Sequence, residues 1–119
     1  MNKNSLYYLA SPYSKFPRGP EVAFVEVSEV AGNLMKQGYK VYCPIAHTHP
    51  IARYSNQDIY DHSLWLPCDL EIAGRCDGMI IVKMSGWEES YGIAQELDFF
   101  KKKNLPVVFL DPVSMEFNN

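Results

Sequence analysis

The strongest strand signal in the sequence reads Gly-Met-Ile-Ile-Val-Lys-Met over residues 78–84. Its apolar residues follow one another instead of alternating with polar ones. A strand with one face in solvent alternates, whereas a strand of a parallel sheet is covered on both faces and stays apolar along most of its length. Residues 78–84 are therefore predicted to form a buried strand of a parallel sheet.

Helical and strand patterns alternate on both sides of this strand. After it, a helix over residues 89–103 and a strand over 105–110 are predicted, and residues 111–119 are expected to form a tail. Before it, a helical pattern covers residues 58–74, and Pro67 is expected to break or restart that helix after Leu66.

The first part of the chain adds two more strands. They are predicted over residues 6–10 and 39–43, with a loop over 11–19 and a helix over 20–37 between them. Residues 44–57 are expected to form a long, irregular loop, and loops of that length are often functional. The resulting order βαβαβαβ predicts an α/β fold with a parallel sheet and helices on both of its faces.

The length and composition of the chain exclude several classes of protein. With 119 residues the chain is expected to be one domain, residues 1–119, because a domain has about 150 residues. Its 11 Lys and Arg against 14 Asp and Glu give a net charge of −3, which argues against a nucleic acid polymer as partner. No apolar run approaches the about 20 residues of a membrane span, and no signal peptide is recognised, so a cytoplasmic protein with no membrane partner is expected.

Three loops are expected to meet at one edge of the sheet. Ligands of open parallel sheets bind beyond the carboxyl ends of the strands. The loops over residues 11–19, 44–57 and 85–90 all follow such ends. A binding site is therefore predicted where these loops converge.

The segment from Ser85 to Gly92 joins the strand over 78–84 to the last helix. Gly86 permits a tight turn or the close approach of a ligand, and Ser90 or Glu89 can cap the helix. The free amide groups of a helix start can bind an anion. A capped helix start without any ligand is an equally good interpretation, and the glycine spacing matches no nucleotide-binding motif.

Three carboxylates are candidates for a chemical or structural role. Glu96 lies about two turns into the last helix, at the edge of its apolar face, where partial burial would raise its pKa and suit a nucleophile or an acid–base group. A solvated helix edge is the alternative for Glu96. Asp69, which follows Pro67, is equally open to a capping role, and Asp77 is expected to be structural because it precedes the strand at the opposite end of the sheet.

The histidines and tryptophans give weaker signals. The His-Thr-His run at 47–49 and His62 have no recognised zinc spacing and no fourth ligand, so no metal site is predicted. His47 is a candidate for substrate contact, with loop packing as the alternative. Trp65 and Trp87 are expected in the core or at the rim of a cleft, where an aromatic ring can hold a nucleobase.

Three segments, in this order and spacing, resemble those of one known superfamily. Residues 8–13 read Tyr-Leu-Ala-Ser-Pro-Tyr and resemble its Tyr-(Ile/Leu)-Ala-Gly-Pro-(Phe/Tyr) opening. The Cys-Asp-Leu run at 68–70, with Cys-Asp at 76–77, resembles the segment before its central strand. Gly-Trp-Glu-Glu-Ser-Tyr-Gly at 86–92, followed by Glu96, is similar to a run of its small bacterial and phage branch. The superfamily is that of the nucleoside 2-deoxyribosyltransferase-like proteins.

The resemblance implies a fold and an activity. The fold is a three-layer, flavodoxin-like, doubly wound parallel sheet of four to five strands, usually in a homo-oligomer. The activity is cleavage or transfer at the N-glycosidic bond of a small-molecule nucleoside or nucleoside 5′-monophosphate. This reaction needs neither a metal nor a redox cofactor, so no cofactor is expected.

The resemblance also implies roles for individual residues. The nucleophile of the superfamily is a Glu that precedes a Pro by ten residues, which matches Glu96 and Pro106. Tyr8 would orient this Glu, and Asp69 would handle the proton on the base. The position six residues before the Glu contacts the sugar or its 5′ group, and it is Ser90 here, as in relatives that hydrolyse monophosphates.

The first loop is expected to contribute to the same site. Ser11 stands where the superfamily more often has Gly, and the loop lacks the Arg-Gly-Gly run of the monophosphate hydrolases. The residues predicted to bind substrate are Ser90, Ser11, Ser14, Lys15, Arg18, Gly86, Trp87 and His47.

Two other functions fit the same sequence. One is a non-catalytic module that binds or senses a nucleotide in the same cleft. The other is a phage accessory protein that reuses the fold, since a fold alone does not determine a reaction.

Overall fold

A five-stranded sheet forms the middle layer of the protein, which a computed structural model describes over residues 1–119. The four parallel strands are β1 (Leu6–Ala10), β2 (Lys40–Tyr42), β3 (Gly78–Val82) and β4 (Val107–Leu110). A short fifth strand, β5 (Phe117–Asn118), is antiparallel to β4. The order across the sheet is β2-β1-β3-β4-β5, which confirms the predicted α/β fold and is consistent with the three-layer, flavodoxin-like arrangement.

Four helices connect the strands. They are α1 (Pro20–Lys36), α2 (Pro44–Ser55), α3 (His62–Ala73) and α4 (Tyr91–Lys102), and a single 3-10 turn, Trp87–Glu89, precedes α4. None of the helices is both long and apolar enough to cross a membrane.

Two hydrophobic cores lie on opposite faces of the sheet. Alternate residues of β3 belong to different cores: Ile80 and Val82 pack on the face covered by α1, and Met79 and Ile81 on the face covered by α3 and α4. All five residues of β3 are buried. This explains why its sequence is apolar throughout, because both faces of a central parallel strand are covered by helices.

The prediction of an irregular loop over residues 44–57 is wrong, because most of it is α2. Pro44 occupies the first turn of this helix, where its missing N–H costs nothing. Ile45, His49 and Ala52 are buried along one side of α2, so tertiary packing holds the helix together despite Pro50 in its interior. The expected break at Pro67 is also wrong, since α3 continues through it.

The expected tail over residues 111–119 contains the fifth strand. The carboxylate of Asp111 accepts hydrogen bonds from the amides of Val113 and Ser114, at 2.8 and 3.2 Å. These bonds lower the pKa of Asp111 and shape the turn that leads the chain back to β4. A two-residue strand leaves no periodicity in the sequence, which is why it was not predicted.

Gly86 joins the first loop to the turn before α4. Its φ of +94° lies in the left-handed region, and a Cβ atom there would stand 2.3 Å from the carbonyl oxygen of Lys15. Only glycine fits this contact, because a backbone carbonyl cannot move aside as the end of a flexible side chain can.

We expect Gly86→Ala to lower the free energy of unfolding by about 2 kcal/mol or more, the range for backbone strain of this kind. Gly32→Ala is the matched control, since Gly32 lies inside α1 with open space around it and alanine there should stabilise the protein by about 0.5–1 kcal/mol. Urea denaturation of both variants measures the difference. Equal stability of Gly86→Ala and the wild type would contradict this account of the loop contact.

Candidate active site

A cleft opens at the carboxyl edge of the sheet, where the sequence predicted a site. The empty space within it, open mouth included, is about 580 Å³. The lining residues come from the segment after β1, from α2 and α3 with the loop between them, and from the start of α4: Ser11, Tyr13, Ser14, Pro44, Ile45, Thr48, Ile59, His62, Trp65, Asp69, Ser90, Gly92 and Glu96.

Glu96 is a buried carboxyl group in this cleft. It is 6% exposed, and the hydroxyl of Tyr8 donates a hydrogen bond to its Oε2. Tyr8 lies on β1 in the middle of the sheet, with its ring packed against Tyr42 and Phe100. Burial raises the pKa of Glu96 to about 8, although the hydrogen bond from Tyr8 opposes this by stabilising the carboxylate. Burial also raises the pKa of Tyr8, which keeps its hydroxyl protonated as a donor.

Asp69 places a second carboxyl group in the same cleft. Its Oδ1 is buried without a hydrogen-bond partner, and burial raises its pKa to about 6. The charge of Asp69 also raises the pKa of Glu96, as expected for two neighbouring carboxyl groups. The structure thus brings together Tyr8, Asp69 and Glu96 from β1, α3 and α4.

Three serines line the cleft near the start of α4. The Ser90 side chain accepts a hydrogen bond from the amide of Ile93 at 3.2 Å, so it caps the helix and keeps its own hydroxyl proton free. Ser11 is 6% exposed, and its hydroxyl has no partner within the protein. Ser14 also lines the cleft. Together with the helix start, these hydroxyls form a polar wall that can donate hydrogen bonds.

Five of the predicted substrate-binding residues lie outside the lining of the cleft. Arg18 forms an ion pair with Glu26 in a separate pocket, the exposed Lys15 lines no part of the cleft, and Gly86 holds the turn described above. Trp87 packs on Phe109, and His47 pairs with the hydroxyl of Tyr42 at 2.9 Å. A substrate contact by Lys15, Arg18, Gly86, Trp87 or His47 stays a prediction.

Asp77 has the structural role expected of it. Its Oδ2 accepts a hydrogen bond from the amide of Leu6 at 2.8 Å, which ties the start of β1 to the start of β3. This contact lies at the end of the sheet opposite the cleft.

Sequence reasoning did not assign the network formed by Tyr13, His49 and Glu21. His49 Nδ1 pairs with the hydroxyl of Tyr13, and its Nε2 lies 2.7 Å from Glu21 Oε2. For the His-Thr-His run, the sequence left metal binding, substrate contact and loop packing as alternatives and assigned His49 no role of its own. In a helix, two histidines at this spacing point to different sides. No three His, Cys, Asp or Glu side chains are grouped so that they could hold a metal ion.

The fold and the site define an α/β protein with a carboxyl pair in a cleft at the carboxyl edge of a parallel sheet. The family described as "domain of unknown function (DUF1937)" matches residues 5–111, and the chain belongs to this family. A comparison with curated proteins finds no significant match.

We expect the Glu96→Gln variant to become more stable than the wild type as the pH rises. In the wild type, the folded protein holds the Glu96 proton up to about pH 8, whereas an unfolded chain releases it near 4.5, so stability is lost between these values. Glutamine does not titrate, so the variant does not lose stability in this way. Its advantage in unfolding free energy should therefore grow by about 2–4 kcal/mol between about pH 5 and pH 9.

Asp98→Asn is the matched control for this measurement, because Asp98 lies exposed on the same helix and pairs only with Lys102. Its effect should stay within about 0.5 kcal/mol at every pH, as usual for a surface ion pair. If denaturant melts show the same pH dependence for Glu96→Gln and the wild type, the carboxyl group is not buried as described.

Proposed function

We propose that this protein cleaves or transfers the N-glycosidic bond of a nucleoside or a nucleoside 5′-monophosphate. One observation carries the proposal: a buried Glu96 carboxyl group, hydrogen-bonded to Tyr8, in the same cleft as a second carboxyl group, Asp69. The resemblance to the nucleoside 2-deoxyribosyltransferase-like proteins supports it, since these three positions match that superfamily's nucleophile, orienting tyrosine and acid.

Glu96 is the nucleophile in this proposal. Departure of the base from C1′ builds positive charge on the sugar, as in the hydrolysis of glycosides. A carboxylate beside C1′ stabilises this charge and then bonds to the carbon. Tyr8 supports the role because its hydroxyl fixes one carboxylate oxygen and leaves the other for the sugar.

Asp69 supplies the proton to the departing base. The two carboxyl groups interact, so their protons belong to the pair more than to either residue. With a pKa of about 6 for Asp69 and about 8 for Glu96, the pair holds one proton near neutral pH, and burial keeps it on Glu96 in the free protein. The proposed reaction therefore requires this proton to move from Glu96 to Asp69 when the substrate binds. One protonated and one ionised carboxyl group is the combination that the reaction requires, and neither a metal nor a redox cofactor enters it.

The polar wall formed by the three serines is the proposed site of a 5′-phosphate. Ser11, Ser14 and Ser90 offer hydroxyl donors, and the start of α4 adds its positive dipole end. Lys15 and Arg18 lie outside the cleft, so the phosphate would be held by hydroxyl and amide groups. Assembly into a homo-oligomer is part of the proposal on the strength of the resemblance alone.

Base release tests the proposed reaction. We expect chromatography to detect free base when the wild type is incubated with its substrate from a panel of nucleosides and 5′-monophosphates. Glu96→Gln should lower the rate at least about a thousandfold, as loss of a nucleophile does. Asp98→Asn, on the exposed side of α4, should keep the wild-type rate.

Wild-type turnover by Glu96→Gln would refute the nucleophile. Release of no base from any member of the panel would refute the reaction. If nucleotides still raise the melting temperature in that case, the protein is a nucleotide-binding module instead.

Calorimetric titration with matched pairs tests the phosphate site. One or two charge-assisted hydrogen bonds, at roughly 1.5–3 kcal/mol each, should give the monophosphate at least about a tenfold tighter binding than its nucleoside. Ser90→Asp should remove this preference, because it adds a negative charge in the cleft while aspartate still caps the helix. Ser85→Asp adds the same charge at an exposed site outside the cleft and should keep the preference. Equal affinities of the wild type for both ligands would contradict the site.

A further inference from the structure

A second set of hydrogen-bonded side chains reaches the cleft from the α1 and α2 side. Tyr13 lines the cleft, and its hydroxyl pairs with Nδ1 of His49. Nε2 of the same ring lies 2.7 Å from Oε2 of Glu21, on α1. These three side chains therefore form a continuous chain of hydrogen bonds from the cleft to the surface, since the Glu21 side chain is 55% exposed.

The surroundings hold the imidazole ring in one orientation. His49 is buried, and Phe24 stacks on it with ring centroids 4.5 Å apart and planes 19° apart. Arg53 lies 3.5 Å from the other oxygen of Glu21. Both contacts restrict the movement of the His49 and Glu21 side chains. In sites where one particular nitrogen of a histidine must act, packing and further hydrogen bonds fix the ring in the same way.

The hydrogen-bond chemistry sets the direction of the network. The bond from His49 lowers the pKa of Glu21, so this group is a carboxylate that can only accept. A neutral His49 then carries its proton on Nε2 and accepts at Nδ1. With this tautomer Tyr13 donates its proton to His49, and the lone pairs of its oxygen stay free to accept a proton from an O–H group bound in the cleft.

We infer that Tyr13, His49 and Glu21 form a proton relay that activates the acceptor, a water or an alcohol, in the second half of the reaction. This inference rests on the proposed function, in which Glu96 carries the sugar after the base has left. Asp69 becomes a carboxylate once it has given its proton to the base, and it is then the competing base for the incoming acceptor. Tyr13 lines the same cleft and differs from Asp69 in having a chain of hydrogen bonds that leads to the surface.

The water oxygen bonds to C1′ as the bond from C1′ to Glu96 breaks, and the electron pair of that bond returns to the carboxylate. The water proton moves to the oxygen of Tyr13 while the proton of Tyr13 moves to Nδ1 of His49. The carboxylate of Glu21 stabilises the imidazolium ion, which then releases its Nε2 proton through Glu21 to the solvent.

The test separates the two halves of the reaction. In Tyr13→Phe, the first half should proceed, so rapid mixing should show a burst of one base per active site at nearly the wild-type rate. Steady-state release should then fall about 100-fold or more, as expected from loss of a general base. Glu21→Gln, at an exposed position, should show the same pattern with a smaller loss.

Azide identifies the missing function, because it attacks C1′ without a proton to remove. We expect it to restore steady-state base release in Tyr13→Phe by about tenfold or more, the scale of a rescued acid–base group. Tyr60→Phe is the control: Tyr60 lies beside Tyr13, with ring centroids 5.8 Å apart, but takes no part in the relay. It should behave as the wild type with and without azide.

The outcomes distinguish the relay from the reaction itself. If burst and steady state fall together in Tyr13→Phe, or if azide has no effect on it, the relay is refuted while the proposed reaction stands. Wild-type burst and steady-state rates in both Tyr13→Phe and Glu21→Gln also refute the relay. If the wild type releases no base, the proposed function fails, and the relay, as an activator of the acceptor, fails with it.

Discussion

The carboxyl group of Glu96 is enclosed between the sheet and α4, and the hydroxyl of Tyr8 is its only hydrogen-bond donor among the protein side chains. Water would stabilise a carboxylate far better than this setting does, so burial favours the protonated form. The hydrogen bond from Tyr8 lowers the free-energy cost of burying this carboxyl group. The bond requires Tyr8 to stay in place on β1 and α4 to begin where Ser90 caps it. The positions of β1, of the start of α4 and of the Glu96 carboxyl group therefore depend on one another.

The parallel sheet explains why so many polar groups converge on one cleft. The carboxyl ends of β1 and β3 lie side by side, and the segments that follow them carry Ser11, Tyr13 and Ser90. The helices α2 and α3 close the other sides and contribute Thr48 and Asp69. Polar groups that are left without partners, such as the Ser11 hydroxyl and Asp69 Oδ1, are rare in folded proteins and are typical of places where a ligand completes the hydrogen bonds.

The sequence predicted the parts of the fold that local patterns encode. The apolar run over 78–84 contains β3, and the helix over 20–37 matches α1 within one residue. It did not predict α2, because two prolines and a polar composition favour a loop locally, whereas burial of one side of the helix against α1 and β1 stabilises it in the folded protein. The two-residue β5 was missed because it exists only through its pairing with β4.

The sequence by itself determined the α/β class and the position of Ser90 at a helix start, since these follow from hydrophobic runs and helix signals. It offered Glu96 as a candidate through its place at the edge of an apolar helix face, and Tyr8 and Asp69 through the resemblance to a known superfamily. Only the tertiary structure decided which side chains of the segments around the cleft turn toward the cleft and its surroundings. Arg18 turns away to Glu26, while His49 turns inward between Tyr13 and Glu21. The physical reason is that a side chain's direction depends on its partners, and these partners come from other elements or turns of the fold.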